Sequence, residues 1–357
     1  MKIGIDISQI VYGTGVSVYT KQLVSGLLSS DKSNQYVLFG SSLRRRGDIK
    51  VFTDSLKGKY STIIYSLPPT ILDILWNRLH VLKIESIIGD IDVFHSSDWA
   101  QPPTKAIKIT TVHDLVPVLY PKWSHPRLVK VHKRRLQRVK EYVDRIIVPS
   151  NTTKKDLVKM GFDEGKVRVI NEAPGNQYFR QGKNKIDHFK RKYKIKDNYL
   201  MAVGTAPRKN IKRVIKAFIN SDYKDKYQLV IIGEHNNIPN IRDYVKFTGY
   251  VNDSEMPTAY SGAGALIYAS LYEGFGLPIL EAFACETPVI TSNRGSMKEI
   301  AEDAAFLVDP RSTKSISMGI NGVLSKRESY IKKGKEKVKK YSWERALKET
   351  IKVYEQK

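Results

Sequence analysis

Two glutamates flank a glycine-rich turn in the second half of the chain. Glu273 precedes the letters GFGLP, and Glu281 follows with seven residues in between. Pro278 suits the first turn of a helix, where its missing N–H costs nothing. Residues 274–277 would then present backbone N–H groups at a helix N-terminus, which is a natural binding site for an anion. Because carboxylates accept hydrogen bonds from hydroxyls, the segment predicts a site for a polyhydroxylated phosphate ester, and a sugar nucleotide fits that description.

A pair of cations follows an earlier strand-like segment. Arg208 and Lys209 come after the apolar run at 199–204, where the next helical pattern begins. Cations are disfavoured at a helix N-terminus, so two of them indicate that an anion lies between them and the helix. Plainer alternatives stay open for both segments: a loop charge and an exposed helix residue for the glutamates, and one more lysine-rich helix for the cations.

The first half of the chain offers weaker candidates. Gly13 and Gly15 form a short turn before a helical pattern, without the full spacing or the downstream acid of a dinucleotide site. His113 and Asp114 end one strand-like run, and the letters HSSDW at 95–99 end another. A lone histidine is more often structural than catalytic. Ligands of parallel sheets bind beyond the carboxyl ends of strands, however, and that position raises the functional interest of His113.

The elements that must position these residues come in two series. Short Val- and Ile-rich runs alternate with longer amphipathic patterns, which is typical of parallel sheets covered by helices on both faces. The alternation repeats after a segment with Gly, Pro and Asn at 171–185, so we expect two doubly wound α/β domains. The predicted strands are 2–7, 36–40, 62–66, 92–96, 107–114, 144–150, 166–170, 199–204, 228–233, 244–249, 264–270, 287–292 and 304–309, and the predicted helices include 16–30, 69–88, 124–143, 151–160, 209–220 and 342–356.

Composition narrows the class of protein. With 357 residues, 41% of them hydrophobic, the chain is long enough for two domains with real cores. Its net charge is +24, spread over both halves, which indicates attraction to anionic substrates or surfaces more than a dedicated nucleic-acid arm. The single cysteine, Cys285, cannot form an internal disulfide. No secretion signal or membrane-spanning run is apparent, so we expect a cytoplasmic protein.

Two segments of the first domain suggest weak peripheral contact with an anionic membrane. Residues 68–88 carry a tryptophan and many large apolar side chains, and residues 127–140 are rich in Lys and Arg. An ordinary core helix and a solvated helix face explain the same segments equally well. On the membrane hypothesis, the contacting cations are Lys130, Lys133, Arg134, Arg135 and Arg138.

Taken together, these motifs resemble the family 4 retaining glycosyltransferases, which have the two-domain GT-B fold. The E-x7-E element from Glu273 to Glu281, with its inner GFGLP, and the PRKN at 207–210 are the specific part of the resemblance. The early glycine turn, the VHD at 112–114 and the boundary segment occur in the expected order, so the resemblance spans nearly the whole chain. The letters VHDLVPVLYPKW at 112–123 are similar to mannosyltransferase-like members.

The resemblance implies an α/β GT-B architecture, with two doubly wound Rossmann-like domains facing a central cleft. Residues 1–175 would form the acceptor-binding domain, and residues 176–340 would form the nucleotide-sugar-binding domain. Residues 341–357 would form a C-terminal helix that crosses back to the first domain.

The resemblance also implies roles for individual residues. Arg208 and Lys209 would bind the donor diphosphate, Glu273 would bond hydroxyls of the donor sugar, and Glu281 would bond the ribose. His113 would lie under the transferred sugar. The implied catalytic residues are His113, Arg208, Lys209 and Glu273, and the implied donor-binding set adds Glu281, Gly13, Gly15 and the turn of Gly274, Phe275, Gly276 and Leu277.

The implied reaction moves a hexose, mannose or glucose, from a nucleotide-diphosphate sugar such as GDP-mannose or UDP-glucose. The acceptor would be a glycan, a lipid-linked molecule or a small molecule, and same-face attack would retain the configuration of the anomeric carbon. No cofactor and no metal are expected. The letters GDIDV at 89–93 look like a metal-binding D-x-D motif, but they introduce a strand at its amino end.

Other classes of protein remain open at this stage. A GT-B epimerase acting on a nucleotide sugar would share the cleft but would need inward-facing acids in the first domain. A phosphorylase would need a lysine that binds pyridoxal phosphate, and usually a longer chain. A non-enzymatic polyanion-binding protein would explain the net charge of +24. No recognised nucleic-acid-binding module is present, however, so a nucleic-acid partner is not expected.

Overall fold

The computed structural model describes residues 1–196, 198–234 and 244–356. These residues form two compact units, each built on one parallel β-sheet. No helix within the described ranges has the length and apolarity that crossing a membrane requires. Every strand predicted from the sequence is present, with ends shifted by a few residues, and the α/β class is therefore confirmed.

The first unit comprises Met1–Glu172 and Trp343–Lys357. Its strands are β1 (Lys2–Asp6), β2 (Gln35–Ser41), β3 (Tyr60–Tyr65), β4 (Val93–Ser96), β5 (Ile107–Thr111), β6 (Arg145–Val148) and β7 (Val167–Val169). They are all parallel, in the order β3-β2-β1-β4-β5-β6-β7. Successive connections run in opposite directions from β1 and β4, so the loops that leave these two strands diverge and open a crevice.

Helices cover this sheet. They are α1 (Gly15–Ser30), α2 (Arg46–Asp54), α3 (Pro69–Leu72), α4 (Glu85–Ile88), α5 (Val116–Leu119), α6 (Pro126–Tyr142) and α7 (Asn151–Lys159), with 3₁₀ turns at Ser8–Tyr12, Pro121–Trp123 and Glu164–Lys166.

The second unit comprises Ala173–Ser342. Its strands are β8 (Tyr199–Val203), β9 (Gln228–Ile232), β10 (Val245–Phe247), β11 (Leu266–Tyr268), β12 (Val289–Ser292) and β13 (Phe306–Val308), in the parallel order β10-β9-β8-β11-β12-β13. Tyr199 and Met201 pack in one buried cluster, while Leu200 and Ala202 pack in another. Both faces of the sheet are therefore covered, by α8 (Lys183–Tyr193), α9 (Ile211–Ile219), α10 (Met256–Gly262), α11 (Leu277–Ala284), α12 (Gly295–Ala301), α13 (Thr313–Ser325) and α14 (Arg327–Val338).

The last helix, α15 (Trp343–Glu355), belongs to the first unit although the second unit precedes it in the chain. Tyr354 is fully buried, and its hydroxyl lies 2.7 Å from Nδ1 of His95 on β4. A Cβ atom on Gly26 of α1 would come within 2.5 Å of the Leu347 side chain, so this glycine allows α1 and α15 to pack closely. The sequence placed the unit boundaries at 175/176 and 340/341, whereas the structure places them at 172/173 and 342/343.

The predicted helix at 69–88 is wrong as a single element. α3 continues into a π-helical turn, Asp73–Arg78, and the chain then breaks before α4. His80 and Leu82 both have positive φ, which ends regular helix there. The indole N–H of the buried Trp76 donates to the carbonyl of Leu82 at 3.1 Å, so a tertiary contact holds the irregular backbone.

Burial also corrects the predicted membrane contacts. Arg135 is 1% exposed and pairs with Asp98 inside the first unit, so it cannot reach a lipid surface. Trp76 is fully buried and cannot serve as an interfacial anchor. Lys130 and Lys133 are exposed, and they remain available for such a contact.

Candidate active site

Arg208, Lys209 and Glu273 lie at the carboxyl edge of the second sheet. The two cations belong to a 3₁₀ turn, Pro207–Lys209, that follows β8, and Glu273 lies in the loop between β11 and α11. β8 and β11 are neighbours in the sheet, so their loops leave it side by side. The backbone N–H of Leu271 donates to the carbonyl of Arg208 at 2.8 Å, which joins the two loops.

These three side chains form one ion-paired group. Nζ of Lys209 lies 2.8 Å from Oε1 of Glu273, and Nε of Arg208 lies 3.2 Å from Oε2. Nζ of Lys209 also lies 2.7 Å from the hydroxyl of Tyr268. Burial alone would raise the pKa of Glu273, but the charges of Lys209 and then Arg208 outweigh it and hold that pKa below its ordinary value. The carboxylate is therefore ionised at neutral pH, and the group carries one net positive charge.

The GFGLP turn is held in place by its own aromatic residue. Phe275 is buried, and its ring lies 6.3 Å from that of Tyr341 between centroids. The hydroxyl of Ser296 donates to the carbonyl of Glu273 at 2.7 Å. Gly276 has a φ of 125°, which other residues rarely adopt, and α11 begins at the next residue. The helix start predicted from the sequence is therefore present, directly after the turn.

Glu281 lies on α11 in a separate network of hydroxyl groups. The hydroxyl of Tyr260, on α10, donates to Oε2 of Glu281 at 2.8 Å, and Tyr178 makes a second hydrogen bond to the same carboxyl. Burial raises the pKa of Glu281 to about 7, although both hydrogen bonds act to lower it. Lys209 also lowers this pKa, so one cation influences both glutamates.

The glycine turn of the first unit lies between β1 and α1. Gly13 has a φ of 66°, and Gly15 is the first residue of α1. In the part of the chain that the structure describes, a Cβ atom on either glycine would meet no atom within 4 Å. The turn therefore leaves open space beside the N-terminus of a 16-residue helix, where an anion is favoured.

His113 follows β5 and is paired with an acid. Its Nδ1 lies 3.2 Å from Oε1 of Glu172, and the ring of Tyr19 meets the imidazole edge-on at 4.5 Å. Burial alone would lower the pKa of His113, but Glu172, followed by Asp98 and Asp114, outweighs it and raises that pKa. Nε2 of His113 is buried and has no hydrogen-bond partner among the described residues.

The residues predicted from the sequence therefore fall into two groups. In the second unit, Arg208, Lys209 and Glu273 are in direct contact, and the turn at 274–277 and Glu281 adjoin them. In the first unit, Tyr19 of α1 connects His113 to the helix that follows the glycine turn. The first-unit group is Gly13, Gly15 and His113, and the second-unit group is Arg208, Lys209, Glu273, Gly274, Phe275, Gly276, Leu277 and Glu281.

Several partners in these networks were not predicted. Tyr268 is the last residue of β11, so its place at the carboxyl end of a strand could have revealed it. Glu172 and Tyr178 lie in the aperiodic segment at 171–185, where no pattern marks one residue above another. Tyr260 gives no signal in the sequence, because its pairing with Glu281 depends on how α10 packs against α11.

The described residues contain no group of three or more His, Cys, Asp and Glu side chains that could hold a metal ion. In the GDIDV segment, Oδ2 of Asp92 accepts a hydrogen bond from the backbone N–H of Lys2 at 2.7 Å. Asp92 therefore binds the start of β1, at the amino edge of the first sheet, whereas Gly13, Gly15 and His113 follow the carboxyl ends of its strands.

Two family models match this chain. The one described as Glycosyltransferase Family 4 covers residues 13–172, and the one described as Glycosyl transferases group 1 covers residues 183–345. The chain is 25% identical to O-antigen chain mannosyltransferase B of Escherichia coli, over 96% of each protein. It is 31% identical to O-antigen chain mannosyltransferase RfbU of Salmonella typhimurium, over 60% of each.

The fold is shared with a solved structure. Sucrose-phosphate synthase from Thermosynechococcus elongatus aligns with a TM-score of 0.76 and 19% identity, covering 99% of this chain and 98% of that one. Identity at this level shows the fold alone. The fold is GT-B, and the prediction made from the resemblance is confirmed.

Replacing Glu281 by Gln should change how stability depends on pH. The pKa of this acid is 4.5 in the unfolded chain and about 7 in the folded protein, so the unfolded chain loses the proton at a lower pH. The free energy of unfolding therefore falls as pH rises from about 4.5 to 7. Glutamine does not titrate, so the stability of Glu281→Gln does not fall in this way. The free energy of unfolding of the variant minus that of wild type should therefore be up to about 3 kcal/mol larger at pH 8 than at pH 5.

Urea denaturation at pH 5 and pH 8 measures this difference. Glu328→Gln, at a residue whose side chain is 84% exposed, is the matched control and should show no such pH-dependent gain. An equal effect of Glu281→Gln at both pH values would show that burial does not raise the pKa of Glu281.

Proposed function

Because the chain belongs to the family 4 glycosyltransferases, we propose that it transfers a mannosyl residue from a nucleotide-diphosphate sugar to a glycan acceptor, with retention of configuration. The ion-paired group of Arg208, Lys209 and Glu273 carries this proposal, since it places positive charge and a hydroxyl acceptor beside the start of α11. The names of the mannosyltransferase relatives favour mannose over glucose. The family matches favour transfer over the epimerase and polyanion-binding alternatives.

The cations would act on the leaving group. A nucleotide diphosphate leaves readily, so the enzyme mainly needs to stabilise the charge that grows on the phosphate as the anomeric carbon becomes oxocarbenium-like. Lys209 and Arg208 are already fixed by Glu273, and fixed charges need little reorganisation during the reaction. Glu273 is ionised and accepts hydrogen bonds only, which suits contact with hydroxyls of the donor sugar.

Among the described residues, the Glu273 carboxylate is engaged by Lys209 and Arg208 and is not free to act as a nucleophile, which favours attack by the acceptor on the face that the phosphate leaves. The departing phosphate would then take the acceptor's proton, and retention needs no covalent enzyme intermediate. His113 would contribute from the first unit. Its raised pKa favours the imidazolium form, in which Nε2 carries a proton that can be donated to a sugar oxygen.

The function is tested by adding GDP-mannose and UDP-glucose to the protein in the presence of EDTA. A ligand that binds only the folded state at a hundred times its Kd stabilises the protein by about 2.7 kcal/mol, so the melting temperature should rise. GDP-mannose should raise it more than UDP-glucose does. Transfer to mannosides should continue in EDTA and give α-linked product by NMR.

Three results would count against parts of this proposal. An unchanged melting temperature with both nucleotide sugars would contradict the transferase function. A larger melting-temperature shift with UDP-glucose than with GDP-mannose would indicate that the donor sugar is glucose and not mannose. Loss of turnover in EDTA, restored by magnesium or manganese, would show that the reaction needs a metal ion.

Arg208→Ala and Lys209→Ala should each lower turnover about a hundredfold or more, since each removes a charge that stabilises the leaving phosphate. Both should also weaken binding of GDP, measured by calorimetry. Lys212→Ala, at an exposed position on α9 just beyond the turn, is the matched control and should behave as wild type. Near-normal turnover in both site variants would place the phosphates elsewhere.

We also propose weak contact with an anionic membrane through the first unit. An apolar patch, defined as Ile71, Ile74, Leu79, Val81 and Leu82, has side chains between 39% and 62% exposed. The irregular backbone after the π-helical turn presents the last three of these. Arg134 of α6 pairs with Asp73 beside this patch, and exposed Lys130 and Lys133 lie on the same helix. Apolar side chains next to cations match the chemistry of an anionic lipid surface.

Vesicle sedimentation measures this contact. Binding should appear with anionic but not neutral lipid and should fall as salt rises, because charges are screened beyond about 10 Å. The double variant Lys130→Glu and Lys133→Glu should weaken binding, whereas Lys332→Glu with Lys340→Glu, at exposed sites on and just after α14, should not. Equal binding to both lipids, or none at low salt, would contradict the proposal.

A further inference from the structure

A carboxylate in the first unit is held by a cation that is almost fully withdrawn from solvent. Arg135 of α6 is 1% exposed, and one terminal nitrogen donates to Oδ1 of Asp98 at 2.9 Å. Its other terminal nitrogen donates to Oγ1 of Thr110 at 2.6 Å and to the carbonyl of Thr111 at 3.0 Å. Burying a guanidinium is costly unless it is paired, so Arg135 and Asp98 fix each other.

The backbone beside this carboxylate is fixed as well. The N–H of Asp98 donates to Oε1 of Gln9 at 2.8 Å, and Nε2 of Gln9 donates to Oγ1 of Thr20 at 2.7 Å. Gln9 follows β1, and Asp98 follows β4, so this contact joins the loops that leave these two neighbouring strands. The Asp98 side chain is still 13% exposed, so it is not fully withdrawn from solvent.

Aromatic side chains surround the same loop. The ring of Trp99 lies 5.6 Å from that of Tyr12 and 5.6 Å from that of His132. Tyr12 is 40% exposed, so it lies at the surface and not in the core. The charge of Asp98 acts on two histidines: after Glu172, it helps to raise the pKa of His113, and it opposes the burial that lowers the pKa of His132. The carboxylate therefore lies close to the histidine that follows β5.

We propose that Tyr12, Trp99 and Asp98 form a binding subsite for one pyranose ring of the acceptor glycan. This inference rests on the proposed function, since it names where the acceptor binds. Aromatic rings cover the C–H faces of a pyranose, and a fixed carboxylate accepts hydrogen bonds from its hydroxyls. Because Arg135 and Gln9 hold Asp98 in place, little freedom is lost when the sugar binds. Nε2 of His113, which is buried and has no hydrogen-bond partner within the described ranges, supplies a further polar atom at this edge of the sheet.

A purely structural role for these groups explains less. The Arg135–Asp98 pair by itself would account for the burial of Arg135. It does not account for an exposed tyrosine whose ring meets that of Trp99, the residue next to the partly exposed Asp98. A sugar subsite accounts for both features.

Saturation-transfer NMR on the full chain, with saturating GDP present, tests the subsite. The probe is methyl α-D-mannopyranoside, and the control ligand is mannitol, a polyol without a pyranose ring. The protein should transfer magnetisation to the mannoside and not to mannitol. Tyr12→Ala and Asp98→Asn should each weaken mannoside binding about tenfold, a loss of about 1.4 kcal/mol. Tyr12→Phe keeps the ring and should bind as wild type.

Tyr142→Ala is the matched control, because Tyr142 is 42% exposed and lies ten residues, about 15 Å, along α6 from His132. If Asp98→Asn fails to fold because Arg135 loses its partner, mannoside binding by Tyr12→Ala alone tests the subsite. Unchanged mannoside binding in Tyr12→Ala, or none in wild type, overturns the subsite. The melting-temperature shift with GDP-mannose reports the proposed function separately, and it should be the same in Tyr12→Ala and wild type.

Discussion

Glu273 is a carboxylate almost withdrawn from water, and it stays ionised because Lys209 and Arg208 lie against it. Removing an isolated charge from water is costly, so each of these side chains holds the others in place before any ligand arrives. The loops that carry them leave neighbouring strands and are joined by the Leu271–Arg208 hydrogen bond. Positive charge for a phosphate is thus built into the loops of the second sheet, and the glycine turn and α11 are arranged around it.

The first unit uses paired charges at the same edge of its own sheet. Arg135 is paired with Asp98, and His113 is paired with Glu172. Burial lowers the pKa of Arg135, and Asp98 offsets part of that effect, whereas Glu172 outweighs the effect of burial on His113 and raises its pKa. The result is a set of oriented polar atoms beyond β4 and β5, on backbone that packing already holds rigid. Such an edge can recognise hydroxyl groups without first ordering loops.

Strand direction explains what could be predicted from the sequence. Arg208 follows β8, and Glu273 follows β11, so parallel strands necessarily deliver both to one edge. Contacts between distant elements explain what could not. The segment at 69–88 has no glycine and no proline beyond its first turn, and its break depends on where the indole of Trp76 finds a carbonyl. Likewise, the spacing of cations along α6 does not reveal that Arg135 alone faces Asp98.

The two glutamates of the E-x7-E element end up in opposite electrostatic environments. Two cations hold the pKa of Glu273 low, so this side chain only accepts hydrogen bonds. Glu281 has tyrosine hydroxyls as its nearest partners, and burial raises its pKa to about 7, so near neutral pH it is present in both forms. A protonated carboxyl can donate as well as accept, which matches a hydroxyl that does the same. The two glutamates therefore offer a ligand different hydrogen-bonding groups, although they are the same residue type in one short segment. The difference comes from the side chains that the fold places around each of them.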